Sequence, residues 1–221
     1  MPHISVHGQA SRRVPAERGT VRLRVAVDGD ARADVLERAR VAHAAVVAQA
    51  RAHVEAEAAT HWTAASVHAW TWTDWPGPHA EQPVVRFRAG ADLTVRFRDF
   101  EALATWAADV AGVDGVAVDG ITWDLTDGTR DEVVGEVRAR AARDAVARAS
   151  DYAAALGLGQ VRLAGLYEDG LHPGAGGSGP SPRAFAMRAD GGGSEIELRP
   201  EDIDVEAVVT AEFEAAEPPL S

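Results

Sequence analysis

Two stretches of the chain repeat the same order of a strand pattern followed by a helix pattern, and this repetition most constrains the fold. Residues 20–39, TVRLRVAVDGDARADVLERA, and residues 94–107, TVRFRDFEALATWA, begin with alternating apolar and charged residues and continue into alanine-rich sequence. Alternation predicts a strand with one buried face, and the sequence after it predicts a helix. The sequence therefore predicts an α+β protein in which a duplicated β-α-β unit forms an antiparallel or mixed sheet packed against long helices.

Capping residues predict where the three helices begin and end. Asp30 is predicted to cap a helix that runs to about residue 58, and Asp99 a shorter helix that ends at 111–112. Thr129 and Glu132 form a predicted capping box for the third helix, which Gly157 ends. Its predicted packing face is narrow and rich in small residues. That face consists of Val134, Val137, Ala141, Ala145, Ala149, Tyr152 and Leu156.

The predicted organisation is a single domain over residues 1–217. Its two intertwined β-α-β repeats span about 18–75 and 84–168, and a C-terminal strand at 203–214 closes it. Glycine and proline in residues 170–182 predict a flexible loop that offers little apolar surface. A short strand is predicted near residues 182–188, and residues 218–221 form a tail.

Composition excludes several classes of chemistry and partner. The chain has no cysteine, which excludes thiol nucleophiles, thiolate metal sites and disulfides. All 22 basic residues are arginine, so there is no lysine for a Walker A loop or a Schiff base. The net charge of -12 argues against nucleic acid and acidic membrane surfaces as partners. No apolar run is long enough for a signal peptide or a membrane span, which predicts a cytoplasmic protein.

A tryptophan-rich strand and turn lie within residues 61–79. Alternation places Trp70 and Trp72 on one face, together with His68 and Asp74. We predict that this aromatic face is core under a helix; the alternative is a platform that stacks a sugar or a nucleobase. Trp75 precedes a Pro-Gly-Pro sequence and is predicted to lie, partly exposed, in the turn.

A stripe of arginines could bind an anionic ligand. Its members lie opposite the apolar residues of their strands: Arg22, Arg24, Arg96 and Arg98. The last strand carries a complementary acidic stripe of Asp204, Glu206, Glu212 and Glu214. We therefore predict that the arginines form cross-strand ion pairs with these carboxylates, and the ligand site is the alternative.

No residue pattern predicts catalysis, a metal site or a cofactor. The histidines are spaced too widely along their predicted elements to share one ion, and no H-E-x-x-H sequence occurs. The glycine-rich loop lacks both the lysine and the following helix of a phosphate-binding loop. No spacing brings a nucleophile to a base, so we predict no catalytic residues.

Over essentially its whole length the chain resembles the SIMPL domain family, also called domain of unknown function 541. Three motifs carry the resemblance: the strand GITWDL at 120–125, an A-x-x-x-A helix ending in YAAALG at 152–157, and the strand VRLAGLYE at 161–168. The segments FRAGADLTVRFRDFEAL, IDVEAVVTAEFE and ISVHGQASRRVPAERGTVRLRV are similar to other parts of the family. The resemblance implies no catalytic residues. It implies a family in which many members are secreted or periplasmic, some are linked to oxidative-stress tolerance and some form large oligomers.

From the residues and this resemblance we expect a non-catalytic, SIMPL-like protein, with a stress-related role implied by the family. It would act through self-assembly, as a dimer or larger homo-oligomer, or by binding another protein. The alternative is a protein that binds a small anionic or aromatic ligand through the arginine stripe or the tryptophan hairpin. A deep pocket lined by those residues would favour the ligand, and a large apolar contact between chains would favour assembly.

Overall fold

The computed structural model describes residues 1–74, 83–168, 171 and 199–216. Within them the strands are β1 (His3–Val14), β2 (Arg18–Gly29), β3 (Ala59–Ala64), β4 (His68–Asp74), β5 (Val84–Phe97), β6 (Val116–Asp124), β7 (Val161–Glu168) and β8 (Ile203–Ala215). The helices are α1 (Arg32–Glu55), α2 (Phe100–Ala111) and α3 (Asp127–Ala155). This confirms the α+β class. The strand β3 is not predicted from the sequence, because its residues Thr60–Thr63 lack a clear alternation of apolar and polar side chains.

The described residues fall into two compact units. Residues 16–124 make up most of the first, which holds β2 to β6 with α1 and α2 and is called the five-stranded unit below. Residues 1–15, 125–168 and 202–216 make up the second, which holds β1, β7 and β8 with α3 and is called the three-stranded unit.

The five-stranded unit contains the order strand-helix-strand twice, first as β2-α1-β3 and then as β5-α2-β6. The strands of the two repeats interleave in the sheet. Its sheet runs β3-β5-β2-β6, and β4 also pairs with β5 beside β3. All of these pairs are antiparallel. In this order, the first and last strands of each repeat are separated by a strand of the other repeat. This interleaved order is the split β-α-β, or ferredoxin-like, arrangement.

One face of this sheet packs against α1 and α2. The alternation predicted for β2 is confirmed, since all four of its inward residues are buried: Val21, Leu23, Val25 and Val27. Across the sheet, Val95 and Phe97 of β5 are completely buried as predicted. The core includes Val35 and Val46 of α1 and Leu103 and Trp106 of α2. Both helices lie on this side, so within the described residues of this unit the other face of the sheet carries no helix.

The three-stranded unit packs α3 on the sheet β1-β8-β7. Ala141, Ala145 and Ala149 of α3 are completely buried against Val6 and Phe213 of the sheet. The approach is close because β1 has a glycine there. A Cβ on Gly8 would lie 2.1 Å from the carbonyl oxygen of Ala141. The small-residue face of α3 is therefore occupied by its own sheet, and it is not a surface for a second helix.

The ends of α3 differ from the prediction. Thr126, rather than Thr129, is the N-cap residue, and its hydroxyl oxygen accepts the backbone N–H of Thr129 at 3.3 Å. The buried stripe advances in steps of four residues, so it ends at Ala153, and Tyr152 and Leu156 are exposed. The buried stripe consists of Val133, Val137, Ala141, Ala145, Ala149 and Ala153. Gly157 ends the helix in the left-handed conformation, with φ of 68°, as predicted.

The predicted cap of α2 is confirmed and that of α1 is wrong. The carboxylate of Asp99 accepts the backbone N–H groups of Glu101 and Ala102, both at 3.0 Å. In α1 the N-cap residue is Ala31, which has no side chain to accept a hydrogen bond. Asp30 lies one residue too early and instead forms an ion pair with Arg86.

The predicted loop at 170–182 and the predicted strand near 182–188 lie outside the described residues, apart from Leu171. No helix in the described part of the chain combines the length and the apolar character needed to cross a membrane.

Candidate functional site

The helix-free face of the five-stranded sheet carries most of the residues singled out in the sequence, and we call it the open face. Pairing of β2 with β5 places Arg22 opposite Thr94 and Arg24 opposite Asp92 on this side. Pairing of β4 with β5 places Trp70 opposite Arg88 and Trp72 opposite Arg86, and Arg88 in turn lies opposite Asp28. The tryptophan strand and the arginine stripe therefore share one surface.

The prediction that Trp70 and Trp72 are core is wrong. They are 42% and 40% exposed, respectively. The inward side of β4 is the one with small residues, where Ala69 packs against the core under α1. Trp75 lies outside the described residues.

Neighbouring side chains hold the two rings. His68 stacks on Trp70 with ring centroids 5.0 Å apart and planes inclined by 28°. The guanidinium carbon of Arg88 lies 6.0 Å from the ring centre of Trp72, which is the outer limit of a cation–π contact. Arg88 also donates to both carboxylate oxygens of Asp28, at 2.6 and 2.8 Å. These hydrogen bonds lower the pKa of Asp28 and raise that of Arg88.

A solvent-open depression of about 310 Å³ lies beside Trp72. Its lining includes the carboxylates of Asp28, Asp30 and Asp74. Arg86 contacts two of them: it pairs with Asp30, and its Nε is 3.8 Å from Asp74. The depression is therefore polar and open to solvent, unlike the apolar enclosed pockets that bind most small molecules.

The predicted pairing of the arginine stripe with the acidic stripe of β8 is also wrong. Arg24 contacts Asp119 at 2.8 Å and Asp92 at 3.6 Å, and Arg98 contacts Glu57 at 2.7 Å. In the three-stranded unit, β8 pairs with β1 and β7, which supply its cations. Arg13 binds Asp204 at 2.9 Å, and Arg162 binds Glu214 at 2.7 Å.

Two arginines of the stripe differ from the others. Within the described part of the chain, the guanidinium groups of Arg22 and Arg96 have no ion pair and no hydrogen bond. Both are exposed, and they lie on the adjacent strands β2 and β5. The sequence does not reveal this difference, because a charged stripe on one strand does not indicate which carboxylates lie across from it.

The described histidines and carboxylates do not form a group of three or more that could hold a metal ion. Two histidines have other partners, since His43 bonds the carbonyl oxygen of Ala65 at 3.0 Å and His7 bonds the hydroxyl of Thr210 at 3.1 Å. Exposed tryptophan rings and exposed guanidinium groups are thus the side chains that distinguish the open face.

Comparison with curated proteins gives no match. A family model described as SIMPL, protein of unknown function (DUF541), matches residues 4–213. That range covers almost the whole chain and includes both units and the open face, which confirms the resemblance seen in the sequence. The chain belongs to the SIMPL family.

Proposed function

We propose that the protein is non-catalytic and functions by self-assembly, through edge-to-edge pairing of β4 with β4 of a second copy. The observation that supports this most is the exposure of Trp70 and Trp72 on an edge strand. Within the described residues β4 has one neighbour, β5, so its other edge offers unpaired backbone groups. An exposed, aromatic, unpaired edge favours association with another strand.

The sequence of β4 is self-complementary in the antiparallel direction. In His-Ala-Trp-Thr-Trp-Thr-Asp, a two-fold axis through Thr71 places Trp70 opposite Trp72 of the second copy. The same axis places His68 opposite Asp74 of the second copy. Aromatic pairs and hydrogen-bonded polar pairs, here an imidazole with a carboxylate, are cross-strand contacts that stabilise antiparallel strands. One register therefore satisfies both kinds of contact at once, as a symmetric dimer interface requires.

The geometry of such a dimer is compatible with the fold of the five-stranded unit. A two-fold axis perpendicular to the sheet keeps α1 and α2 of both copies on one side and both open faces on the other. The four tryptophan rings then form one cluster on the continuous open face. Tryptophan and arginine are the residues most often found at the energetic centre of protein interfaces.

Stacking of a small aromatic ligand on Trp70 and Trp72 is the second candidate function. The ring pair and the adjacent depression of about 310 Å³ favour it. The polar, open character of that depression disfavours it, because small-molecule sites are concave and mostly apolar. The two functions differ in stoichiometry, since only self-assembly changes the mass of the protein in solution.

Light scattering and sedimentation velocity at micromolar concentration and about 0.15 M salt test the dimer; salt screens the repulsion between copies that each carry a charge of -12. We expect the wild type to approach twice 23.3 kDa. The Trp70→Ser and Trp72→Ser variants should each weaken association about 30-fold or more, as truncation of an interface hot spot does. Val41→Ser removes an apolar residue of α1 that is 62% exposed, more than either tryptophan, and is the control for loss of exposed apolar surface.

A charge swap tests the register itself. His68→Asp places two carboxylates opposite each other and should weaken the dimer, whereas the double variant His68→Asp with Asp74→His should restore it. A mass of 23.3 kDa for the wild type at every concentration would sink the proposal. So would a dimer whose affinity is unchanged by both tryptophan variants.

A further inference from the structure

We propose that Arg22 and Arg96 form a binding site for a phosphate group on the open face, separate from the tryptophan strand. Arg22 lies opposite Thr94, and Arg96 lies opposite Thr20, so the two arginines are diagonal neighbours on β2 and β5. Diagonal neighbours have Cβ atoms about 7–8 Å apart, within reach of long side chains. Both guanidinium groups can therefore contact one anion between them.

The absence of carboxylate partners is specific to these two residues of the arginine stripe. Arg24 and Arg98 both have acidic partners, at 2.8 and 2.7 Å respectively. Along the same face Arg86 and Arg88 also pair with aspartates. The chain has 34 acidic and 22 basic residues, so carboxylates are not scarce. In an acidic chain, these two neighbouring guanidinium groups have no carboxylate partner among the described residues. Their positive charges are therefore available to an anion from solution.

Further hydrogen-bond donors lie beside the arginine pair. Thr122 lies beside Thr20 on β6, and neither hydroxyl has a hydrogen bond within the described residues. His61 lies beside Arg96 on β3. Next to Arg22 is Gly120, whose missing side chain leaves open space, because a Cβ there would meet no atom within 4 Å. The anion would thus have hydroxyl donors beside it and room above the sheet.

This set of donors fits a phosphate group better than a carboxylate. A phosphate presents three or four acceptor oxygens, and guanidinium forks bind two of its oxygens at a time. A single carboxylate has two oxygens and would leave most of these donors unused. The site is far from Trp70 and Trp72: residues 88 and 94 of β5 are separated by about 20 Å at ~3.3 Å per residue. A small phosphorylated ligand at Arg22 therefore does not stack on the tryptophans.

Titration calorimetry of the full chain with inorganic phosphate and with glycerol phosphate tests the site, with acetate as the control anion. We expect saturable phosphate binding that Arg22→Gln and Arg96→Gln each weaken about tenfold or more, because each removes a charged hydrogen-bonding fork. Arg22→Lys retains the charge without the fork and should lose less. Arg88→Gln removes an arginine of the same face about 20 Å away and should bind phosphate as the wild type does. Tighter binding of glycerol phosphate would indicate a phosphomonoester as ligand, and tighter binding of phosphate the free anion.

Phosphate binding at Arg22 and Arg96 does not depend on formation of the β4 dimer. Light scattering on Arg22→Gln and Arg96→Gln should give the wild-type mass, and Trp70→Ser should bind phosphate normally. Thermal melts establish that each variant is folded. No saturable binding at millimolar phosphate would overturn the proposal, as would equal weakening by Arg88→Gln or equal binding of acetate.

Discussion

Arg88 and Asp28 form a two-pronged ion pair across β5 and β2, in which Nε and Nη2 of Arg88 each donate to a different carboxylate oxygen. The hydrogen bonds from Arg88 hold the pKa of Asp28 below its usual range. Hydrogen bonds also lower the pKa of three other carboxyl groups: Asp144, which accepts the backbone N–H of Gln9, Asp204, which accepts from Arg13, and Glu214, which accepts from Arg162. A carboxyl group whose pKa is lower in the folded state stabilises the fold above its unfolded pKa and loses that effect as the pH falls through its folded pKa.

We therefore expect the urea midpoint of the wild type to be nearly constant from pH 7 to about pH 5 and to fall below about pH 4. Asp28→Asn removes one of the four groups and should make this fall slightly shallower. The effect is small because the pair is solvent-exposed and screened. A midpoint that rises on acidification would contradict the assignment.

Replacement of tryptophans in different environments should have very different effects on stability. Trp106 is 3% exposed, contacts the rings of His53 and Phe97, and donates its indole N–H to Gln49 at 2.9 Å. Trp106→Ala should lower the free energy of unfolding by about 3–5 kcal/mol. Trp70→Ala, measured at concentrations where the wild type is monomeric, should lower it by less than about 1 kcal/mol. Comparable losses from chemical denaturation would show that Trp70 is packed after all.

Two glycine substitutions in the three-stranded unit should act in opposite directions. Gly8→Ala places a Cβ 2.1 Å from the carbonyl oxygen of Ala141 and 2.7 Å from Cβ of Ala145, so α3 must move away from β1. We expect a loss of about 1–3 kcal/mol, as for other overpacked cores. Gly135→Ala is the control, because its Cβ would meet no atom within 4 Å on exposed helix surface. It should stabilise the protein by about 0.5–1 kcal/mol, and equal urea midpoints for the two variants would contradict the close packing of α3.

The two aspartates predicted as caps provide a matched test of capping. Asp99→Ala removes the acceptor of two backbone N–H groups at the start of α2 and should cost about 1 kcal/mol. Asp30→Ala removes only an exposed ion pair with Arg86 and should cost less. Thermal unfolding of both variants, together with Asp99→Asn as a conservative replacement that retains an acceptor, checks this. An equal loss for Asp30→Ala would mean that it caps α1 in solution.

Alternation and capping residues predict most helices and strands of this fold, because both act between residues that are close in sequence. The alternation of β2 predicts its buried valines, and the positions of Asp99 and Gly157 predict one helix start and one helix end. The faces of β4 show where such rules stop. Hydrophobicity favours Trp70 and Trp72 inside, but the neighbouring β5 directs Phe87 and Ala89 towards α1. Pairing then places the tryptophans beside Arg88 and Arg86, on the solvent side.

The arginine stripe shows the same limit for contacts between distant segments. Alternation correctly places Arg22, Arg24 and Arg96 opposite the apolar residues of their strands. Their charge partners depend on which strands are neighbours, and β8 belongs to a different sheet from β2 and β5. No local pattern contains that information. The diagonal relation of Arg22 to Arg96 is likewise a property of strand register, which only the assembled sheet determines.

The interleaved strands of the five-stranded unit also determine how it can fold. Among the described residues, the last strand of each repeat, β3 or β6, pairs with the first strand of the other repeat, β5 or β2, and not with the first strand of its own repeat. A fragment that contains one repeat therefore lacks every strand partner seen in this sheet and should be unstructured alone. Two such fragments, separated within residues 75–83, should regain structure when mixed, by complementation. The pairing of segments distant in sequence also gives this unit a high contact order, so we expect it to fold more slowly than a helical protein of the same length.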